Sequence, residues 1–507
     1  MTERAAIGRA DRLATRALTH VDCSSAVAAA VWLVVYLLVA LTGQRFDTAY
    51  LGFGWQLIPW DILSADPLRS VWYLHVQPPG WNLLLGGLAK ISPFSDAITL
   101  QVLMAAFGVA VVYLASRLGR RLGLSARAAA VVAVGATLHP EVLKGAFEPN
   151  YEIAVAALML AWLVAVARLA DQRPLRRALV LVSVLLTALV MTRSLYHPLF
   201  LVAVIGIVAL AHRSRVDRRT MAAVIAVPLV VVGGWMAKNE VLFGTPTLSS
   251  WFGMNLQRAV IPVLPLDDLE KMHERGEVSD IAMIGPFGNY GLYEPVVKTC
   301  APEHSHRSLT EPTRTTDLYS PNFNYECFLP VFDQAGSDAW AVIKEHPGAW
   351  WQGRMWSLRT TVAVSVMPAE SKSLVMRSLD DIYSVARLDY RGVLSTEGWG
   401  TPIYGRLEAP TDFGLSLVAI YGLTIGLGVQ AAVGWLRRRR IEARALLHLL
   451  IGFSVAFTVV VGAVAELGEQ ARFRTVTDPI ATVVAIGWIW STVKRWRAQR
   501  QAAVVGR

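Results

Sequence analysis

The chain has 507 residues, 54% of them hydrophobic and only 17% charged, with a mean hydropathy of +0.43 and a formal net charge of +10. An ordinary soluble multidomain enzyme is excluded, because the apolar residues come in blocks long enough to cross hydrocarbon. Nucleic-acid binding is not implied either: residues 238–412 carry 15 basic and 22 acidic residues, leaving 33 basic and 16 acidic ones elsewhere, chiefly in short loops beside apolar spans.

An arginine-bearing stretch of about two dozen residues precedes the first apolar run and no small-residue cleavage site follows it, so the N-terminus reads as a cytoplasmic tail and a signal-anchor helix. Ten spans fit the pattern, at approximately 25–43, 97–116, 126–142, 152–170, 177–193, 195–212, 220–237, 413–434, 445–464 and 477–493. Loops 117–127, 168–177, 213–219 and 437–444 and the tail 494–500 are strongly basic. All of them fall on one side, which places both termini in the cytoplasm. The expected fold is therefore an all-α polytopic membrane protein of about ten transmembrane helices, with interfacial helices and a large extracytoplasmic loop region. Three parts follow: a seven-span module at 1–237 that includes the first outer loop 44–96, the loop region 238–412, and a three-span module at 413–507.

The first outer loop holds Trp55, Trp60, Trp72 and Trp81 among scattered apolar residues, too interrupted to span and suited to helices lying in the interface. Its Asp47, Asp61 and Asp66 sit at the water-facing mouth of the bundle, where a carboxylate either is merely solvated or acts as general base toward a hydroxyl. Asp47 is favoured by its closeness to the first span, and Asp66 by its closeness to His75-Val76-Gln77-Pro78-Pro79. The proline pair fixes a bend before an amphipathic helix. In the next outer link, 139–151, Glu148 precedes Pro149, and Glu152 opens the fourth span. Glu152 is either a helix-terminal acid or a second carboxylate facing the first across a shared cleft.

Arg193 and His197 lie between the fifth and sixth spans, and Lys238 ends the seventh. One base at a span end usually snorkels to the interface. Three of them on the outer side, together with Arg472 and Arg474, reverse the charge bias seen elsewhere and point to an anionic ligand. Small polar and aromatic residues then cluster at 242–256, where Trp251 and Asn255 suit a sugar whose apolar faces stack on rings. Residues 349–367 read as an amphipathic interfacial helix. Cys300 and Cys327 share the long outer loop, either as a disulfide pair or as unrelated thiols. No Cys/His spacing suits zinc, and no cofactor is expected.

The densest cluster of ionisable residues is Ala465-Glu466-Leu467-Gly468-Glu469-Gln470-Ala471-Arg472-Phe473-Arg474-Thr475-Val476-Thr477-Asp478-Pro479, set between two apolar runs. Such residues at a membrane boundary mark function by default. Paired guanidiniums match phosphate oxygens. A continuing helix would put Glu466, Glu469 and Arg472 on one face.

These pieces, in this order, resemble the C-type superfamily of integral membrane glycosyltransferases, which includes the protein O-mannosyltransferases and the lipid A aminoarabinose transferases. The resemblance covers the architecture of most of the chain. Stretches Tyr73–Asn82, Tyr151-Glu152, Arg193–His197, Ser249–Leu256 and Glu466–Pro479 look like those of a bacterial subgroup, which implies a multi-pass protein of the bacterial cell membrane. The resemblance further implies a polyprenyl-phosphate sugar donor and an inverting transfer to an acceptor on the outer face. Asp47 resembles the catalytic base, with Asp66 as substitute; Glu148-Pro149 resembles the acid-proline pair of the second outer loop; Arg472 and Arg474 would grip the phosphate. Where the superfamily often has a second acid, Thr48 follows Asp47, so the identity of the base stays open. Two other readings use the same residues: a transporter or flippase of a lipid-linked or anionic solute, and a non-catalytic scaffold in envelope assembly.

Overall fold

The computed structural model describes residues 22–169, 175–213, 215–297, 300–314, 320–362, 372–386, 414–467 and 470–505, and every named element among them is a helix. Six are long and apolar enough to cross a membrane: Cys23–Leu41, Asp96–Arg121, Arg218–Phe243, Leu415–Arg438, Ala443–Ala465, and Arg472–Ala502 within the last helix. The other four expected spans are helices of fewer residues: Ala126–Thr137 with 12, Glu152–Arg168 with 17, Leu175–Val190 with 16 and Pro198–His212 with 15. The expected span at 126–142 is the clearest departure. Its helix stops at Thr137 after roughly 18 Å, against hydrocarbon about 30 Å thick. His139 precedes a proline, whose ring excludes the helical conformation from it; His139 takes ψ 133°, and a separate helix, Pro140–Lys144, follows.

The hub is Glu152–Arg168, apolar on every face and therefore buried on every face. It packs against Asp96–Arg121, Leu175–Val190 and the last helix, Gln470–Val505. Burying this helix all round carries Glu152, its first residue, into the interior. Leu415–Arg438 and Ala443–Ala465 cross at Gly428 and Gly452, where a Cβ on Gly428 would lie 2.8 Å from the Gly452 Cα.

At one end of the bundle, here called the loop end, the first outer loop and the long loop form a single layer. The first loop supplies the short helices Tyr50–Phe53, Trp60–Ala65 and Pro67–Trp72, and the longer Gly80–Ile91. Ile58, Leu63 and Leu74 share one cluster with Trp251, Phe323 and Phe328 of the long loop. Arg314, 1% exposed, donates to Gly54 O at 2.7 Å and Leu57 O at 2.5 Å, locking the two loops together. Cys300 and Cys327 form a disulfide within this layer. The stretch expected at 349–367 to be an amphipathic helix is the helix Pro347–Thr361, but it is not amphipathic: Arg354, Ser357 and Thr360 are buried while Trp351 and Met355 are exposed; residues 363–367 lie outside the described ones.

Helix Phe252–Val260 meets Phe328–Glu345 at Gly253, where an added Cβ would collide with Phe332 O and approach the Gly336 nitrogen at 2.8 Å. Gly253→Ala is expected to destabilise the layer by about 1–3 kcal/mol through overpacking, read as a lower thermal midpoint in detergent. An unchanged midpoint would mean that the two helices are free to move apart there.

Candidate functional site

A cavity of 570 Å³ lies at the loop end, lined from Pro198–His212, Phe252–Val260, Ala443–Ala465 and the first turns of the last helix. Its wall is largely apolar, with Leu195, Leu248, Phe457, Val460 and Val461. Six of the candidate site residues line it: Arg193, His197, Trp251, Asn255, Glu466 and Arg472.

Arg193 sits in the turn that follows Leu175–Val190 and is 1% exposed. The Pro-Pro-Gly turn packs directly on that turn: Gly80 N donates to Met191 O at 2.7 Å, and a Cβ at Gly80 would meet the same oxygen at 2.6 Å. The Arg193 guanidinium is held between the rings of Tyr151 and Phe473, at 5.0 and 4.9 Å from their centroids. Its Nη2 is 3.6 Å from Glu152 Oε1, and its Nη1 has no hydrogen-bond partner. Arg472 donates to the same Oε1 from Nη2 at 2.7 Å and Nε at 3.1 Å. One buried carboxylate oxygen therefore orients two guanidiniums at the cavity wall. A buried N–H left unpaired costs about 1–3 kcal/mol.

Farther along the wall, Arg258 pairs with Glu466 at 3.2 Å. Sequence reasoning passed over Arg258. It also passed over Arg354, 2% exposed, which donates to Ala463 O at 2.8 Å, Val464 O at 2.6 Å and Ala259 O, capping two helix ends. A basic residue inside a helix expected to be amphipathic looks like a solvated face in one dimension. Only the fold turns Arg354 inward.

The other candidate carboxylates, Asp47 and Glu148, lie in the first and second outer links. Asp47 is exposed; its N–H donates to Phe147 O at 2.8 Å, and its carboxylate accepts from Ala49 N–H at 2.8 Å. Glu148 pairs with Lys144 at 3.5 Å. Burial pushes the Glu148 carboxyl above its usual range, Lys144 opposes this, and the charges of Asp47 and Glu152 add to the rise. Of the three carboxylates, only Glu152 bonds to the arginine pair, and none of the three lines the cavity.

Other candidates take different places. Asp66 is exposed and caps Pro67–Trp72, accepting from Arg69 N–H at 3.2 Å. It does not line the cavity. Nor does Lys238, whose Nζ donates to Trp72 O and Leu74 O, both at 2.9 Å, and lies 4.1 Å from the Trp235 ring centroid. Glu469 lies outside the described residues. The one-face arrangement expected for Glu466, Glu469 and Arg472 is not built by a continuous helix, because Glu466 is extended at φ −141°, ψ 153° and ends Ala443–Ala465.

Arg474 also departs from expectation. It is 1% exposed and donates from Nη2 to Glu141 Oε1 at 3.1 Å. Nearby, Asp478 accepts from Tyr421 Oη at 2.6 Å. Residues 472 and 474 are both helical, and two positions along a helix are about 200° apart around its axis. One arginine therefore faces the cavity and the other the bundle interior.

His75 is wholly buried: Nδ1 meets Ser250 Oγ at 2.7 Å, Nε2 meets Asn324 O at 3.1 Å, and its N–H donates to Asn324 Oδ1 at 3.0 Å. It pins the first loop to the long loop and is not a cavity residue. Burial pushes its pKa down to about 3. An unfolded histidine takes its proton near pH 6.5, so the unfolded state binds more protons between those values and stability rises with pH there. The His75 contribution is fully present above pH 6.5 and is lost as pH falls toward 3. His75→Gln is expected to be less stable at pH 7.5 and to show a shallower loss of thermal midpoint on acidification than wild type. Parallel profiles would contradict a buried neutral His75.

Among the described residues no group of three or more His, Cys, Asp or Glu could hold a metal ion. No family model matches the chain, and no curated protein matches it. In three dimensions it is similar to the crystal structure of the Archaeoglobus fulgidus oligosaccharyltransferase in the apo form, at 13% identity and a TM-score of 0.38, over 94% of this chain and 52% of that one. It is also similar to ArnT from Cupriavidus metallidurans bound to undecaprenyl phosphate, at 15% identity and a TM-score of 0.33, over 88% of this chain and 77% of that one. The chain spans about half the length of the archaeal enzyme. At these scores the likeness carries no functional argument, which comes from the site's own chemistry.

Proposed function

We propose that the protein is a membrane glycosyltransferase that moves a sugar from a polyprenyl-phosphate donor to an acceptor hydroxyl, with the loop end on the extracytoplasmic side. The observation that carries this reading is Arg193: a buried guanidinium with an unpartnered N–H at the wall of an apolar cavity, beside Arg472. An anion with a hydrocarbon tail is the ligand such a wall favours, because the guanidiniums meet the phosphate while the apolar lining meets the chain.

In the proposed step Asp47 takes the acceptor's hydroxyl proton. The acceptor oxygen forms a bond to the anomeric carbon as the bond from that carbon to the phosphate oxygen breaks, with inversion. The electron pair leaves on the phosphate, stabilised by Arg193 and Arg472 rather than by protonation. Glu152 is committed to both guanidiniums, so we assign it the positioning of the arginines. Glu148, its carboxyl raised by burial, is the second candidate for proton transfer. Trp251 and Asn255 would face the sugar. His197, at the N-terminus of Pro198–His212, would border the lipid.

Purified protein in nanodiscs, offered a panel of polyprenyl-phosphate sugars, tests the reaction. Asp47→Asn is expected to lower turnover by about 10²–10⁴-fold with donor affinity intact. Equal turnover in Asp47→Asn and wild type would remove Asp47 as base; transfer without any lipid-phosphate donor would remove the reading itself. A transporter is favoured by one observation, the buried Arg474–Glu141 pair with Asp478 and Tyr421 inside the bundle. Flux of a labelled lipid phosphate across proteoliposomes without sugar transfer would support that second reading.

A further inference from the structure

We infer that the first outer loop carries a second binding site, for the acceptor, and that its occupant is an amphiphile with a hydroxyl-rich head and a hydrocarbon anchor; this presupposes the transferase reading above. An open cleft of 680 Å³ is lined by Thr48, Gly52, Phe53, Trp60, Ser95 and Asp96, with their neighbours. None of these residues lines the cavity that holds Arg193 and Arg472. Trp60 Nε1 donates to Asp96 Oδ2 at 2.7 Å, so an indole and a carboxylate stand together on the wall, with the hydroxyls of Thr48 and Ser95 nearby.

This is the chemistry that recognises a polyol: a ring on which C–H faces stack, and a carboxylate that accepts from hydroxyls. A tryptophan at a membrane boundary is often only a belt residue, its N–H turned to head groups. Here the N–H is spent on a carboxylate, and the ring borders a concave volume.

The rim indicates how the occupant arrives. Phe53 on the lining, and Phe94 and Ile98, next in sequence to lining residues Ser95 and Ala97, are 45%, 66% and 51% exposed. Asp96 begins the membrane-length helix Asp96–Arg121, so the cleft lies where that helix leaves the hydrocarbon. A head group in the cleft can keep its chain in the bilayer beside this apolar rim.

Position links the cleft to the reaction. Asp47 immediately precedes Thr48 and Ala49 on the cleft wall, and its carboxylate bonds back to Ala49 N–H at 2.8 Å. On its other side Asp47 N–H bonds to Phe147 O, next to Glu148, whose carboxyl feels the charges of both Asp47 and Glu152. The proposed base is therefore the chain neighbour of the cleft wall on one side and is tied to the Phe147-Glu148 backbone on the other.

The test uses full-length protein in nanodiscs and a diazirine-bearing alkyl β-glucoside, with crosslinks mapped by mass spectrometry. Expected are crosslinks within 48–60 and 94–98 that octyl β-glucoside competes away, and a loss of at least tenfold in both Trp60→Ala and Asp96→Asn. Equal labelling by the same diazirine alkyl chain without its sugar overturns the proposal, since the cleft would then be a lipid-facing groove. Competition by a hydroxyl-bearing peptide but not by octyl glucoside overturns the assigned class. Labelling that survives both substitutions overturns the site. The measurement needs no donor, so its outcome is independent of phosphate binding at Arg193.

Discussion

Arg193→Gln is expected to weaken binding of a labelled polyprenyl-phosphate sugar by roughly 10- to 150-fold, the loss of about 1.5–3 kcal/mol that accompanies a hydrogen bond to a charged group. Arg193 is placed by its neighbours: the Tyr151 and Phe473 rings flank its guanidinium, Glu152 Oε1 lies 3.6 Å from Nη2, and Nη1 is buried without a hydrogen-bond partner. Glutamine keeps a donor but loses the charge, the planar fork and the stacking. Arg193→Lys restores charge without the fork and should recover affinity only in part. Arg472 still holds Glu152 in both variants, so the carboxylate is not stranded. Isothermal or filter-binding measurements on nanodisc protein decide the matter. Wild-type affinity in Arg193→Gln, with the thermal midpoint preserved, would falsify the phosphate-site assignment.

The second large effect is on stability. Arg474→Gln is expected to destabilise the bundle by roughly 3–5 kcal/mol, because it leaves the Glu141 carboxylate buried beside His139, 3.7 Å away, without its guanidinium. Replacing both partners with apolar residues, Arg474→Met with Glu141→Leu, removes both charges and should regain much of the loss. The double variant separates two roles for Arg474. If it contacts the inside of the bundle alone, donor affinity survives; if it grips phosphate as its place in the motif suggested, affinity collapses even where the fold is regained. Thermal midpoints and donor binding, measured on the same preparations, give both answers.

Much of the architecture was legible from the chain because membrane solvation acts on local sequence. A run of apolar residues must cover its own backbone hydrogen bonds, so it becomes a helix wherever it lies. Six of the ten expected spans are helices long and apolar enough to cross a membrane; those expected at 152–170, 177–193 and 195–212 are shorter helices, and at 126–142 His139-Pro140 broke the run. That break was readable, since a residue before proline avoids the helix, but the apolar residues on both sides concealed it. Candidate residues were legible for the same reason: a charge at a span end is conspicuous against an apolar background. The site's membership was harder to read. Arg193 and Arg472 share one carboxylate across 320 positions between Glu152 and Arg472, and nothing local announces that.

Composition and periodicity by themselves determined a polytopic helical protein, the location of its charged link segments, and a short list holding six of the residues that line the cavity. Tertiary structure decided which charges meet. It sent Arg472 to the cavity and Arg474 into the bundle, made His75 a buried pin, and turned Asp66 into a helix cap. The reason is physical: burial follows from apolar pattern, which is local, whereas the partner of an ionised group is chosen by three-dimensional neighbours in a low dielectric.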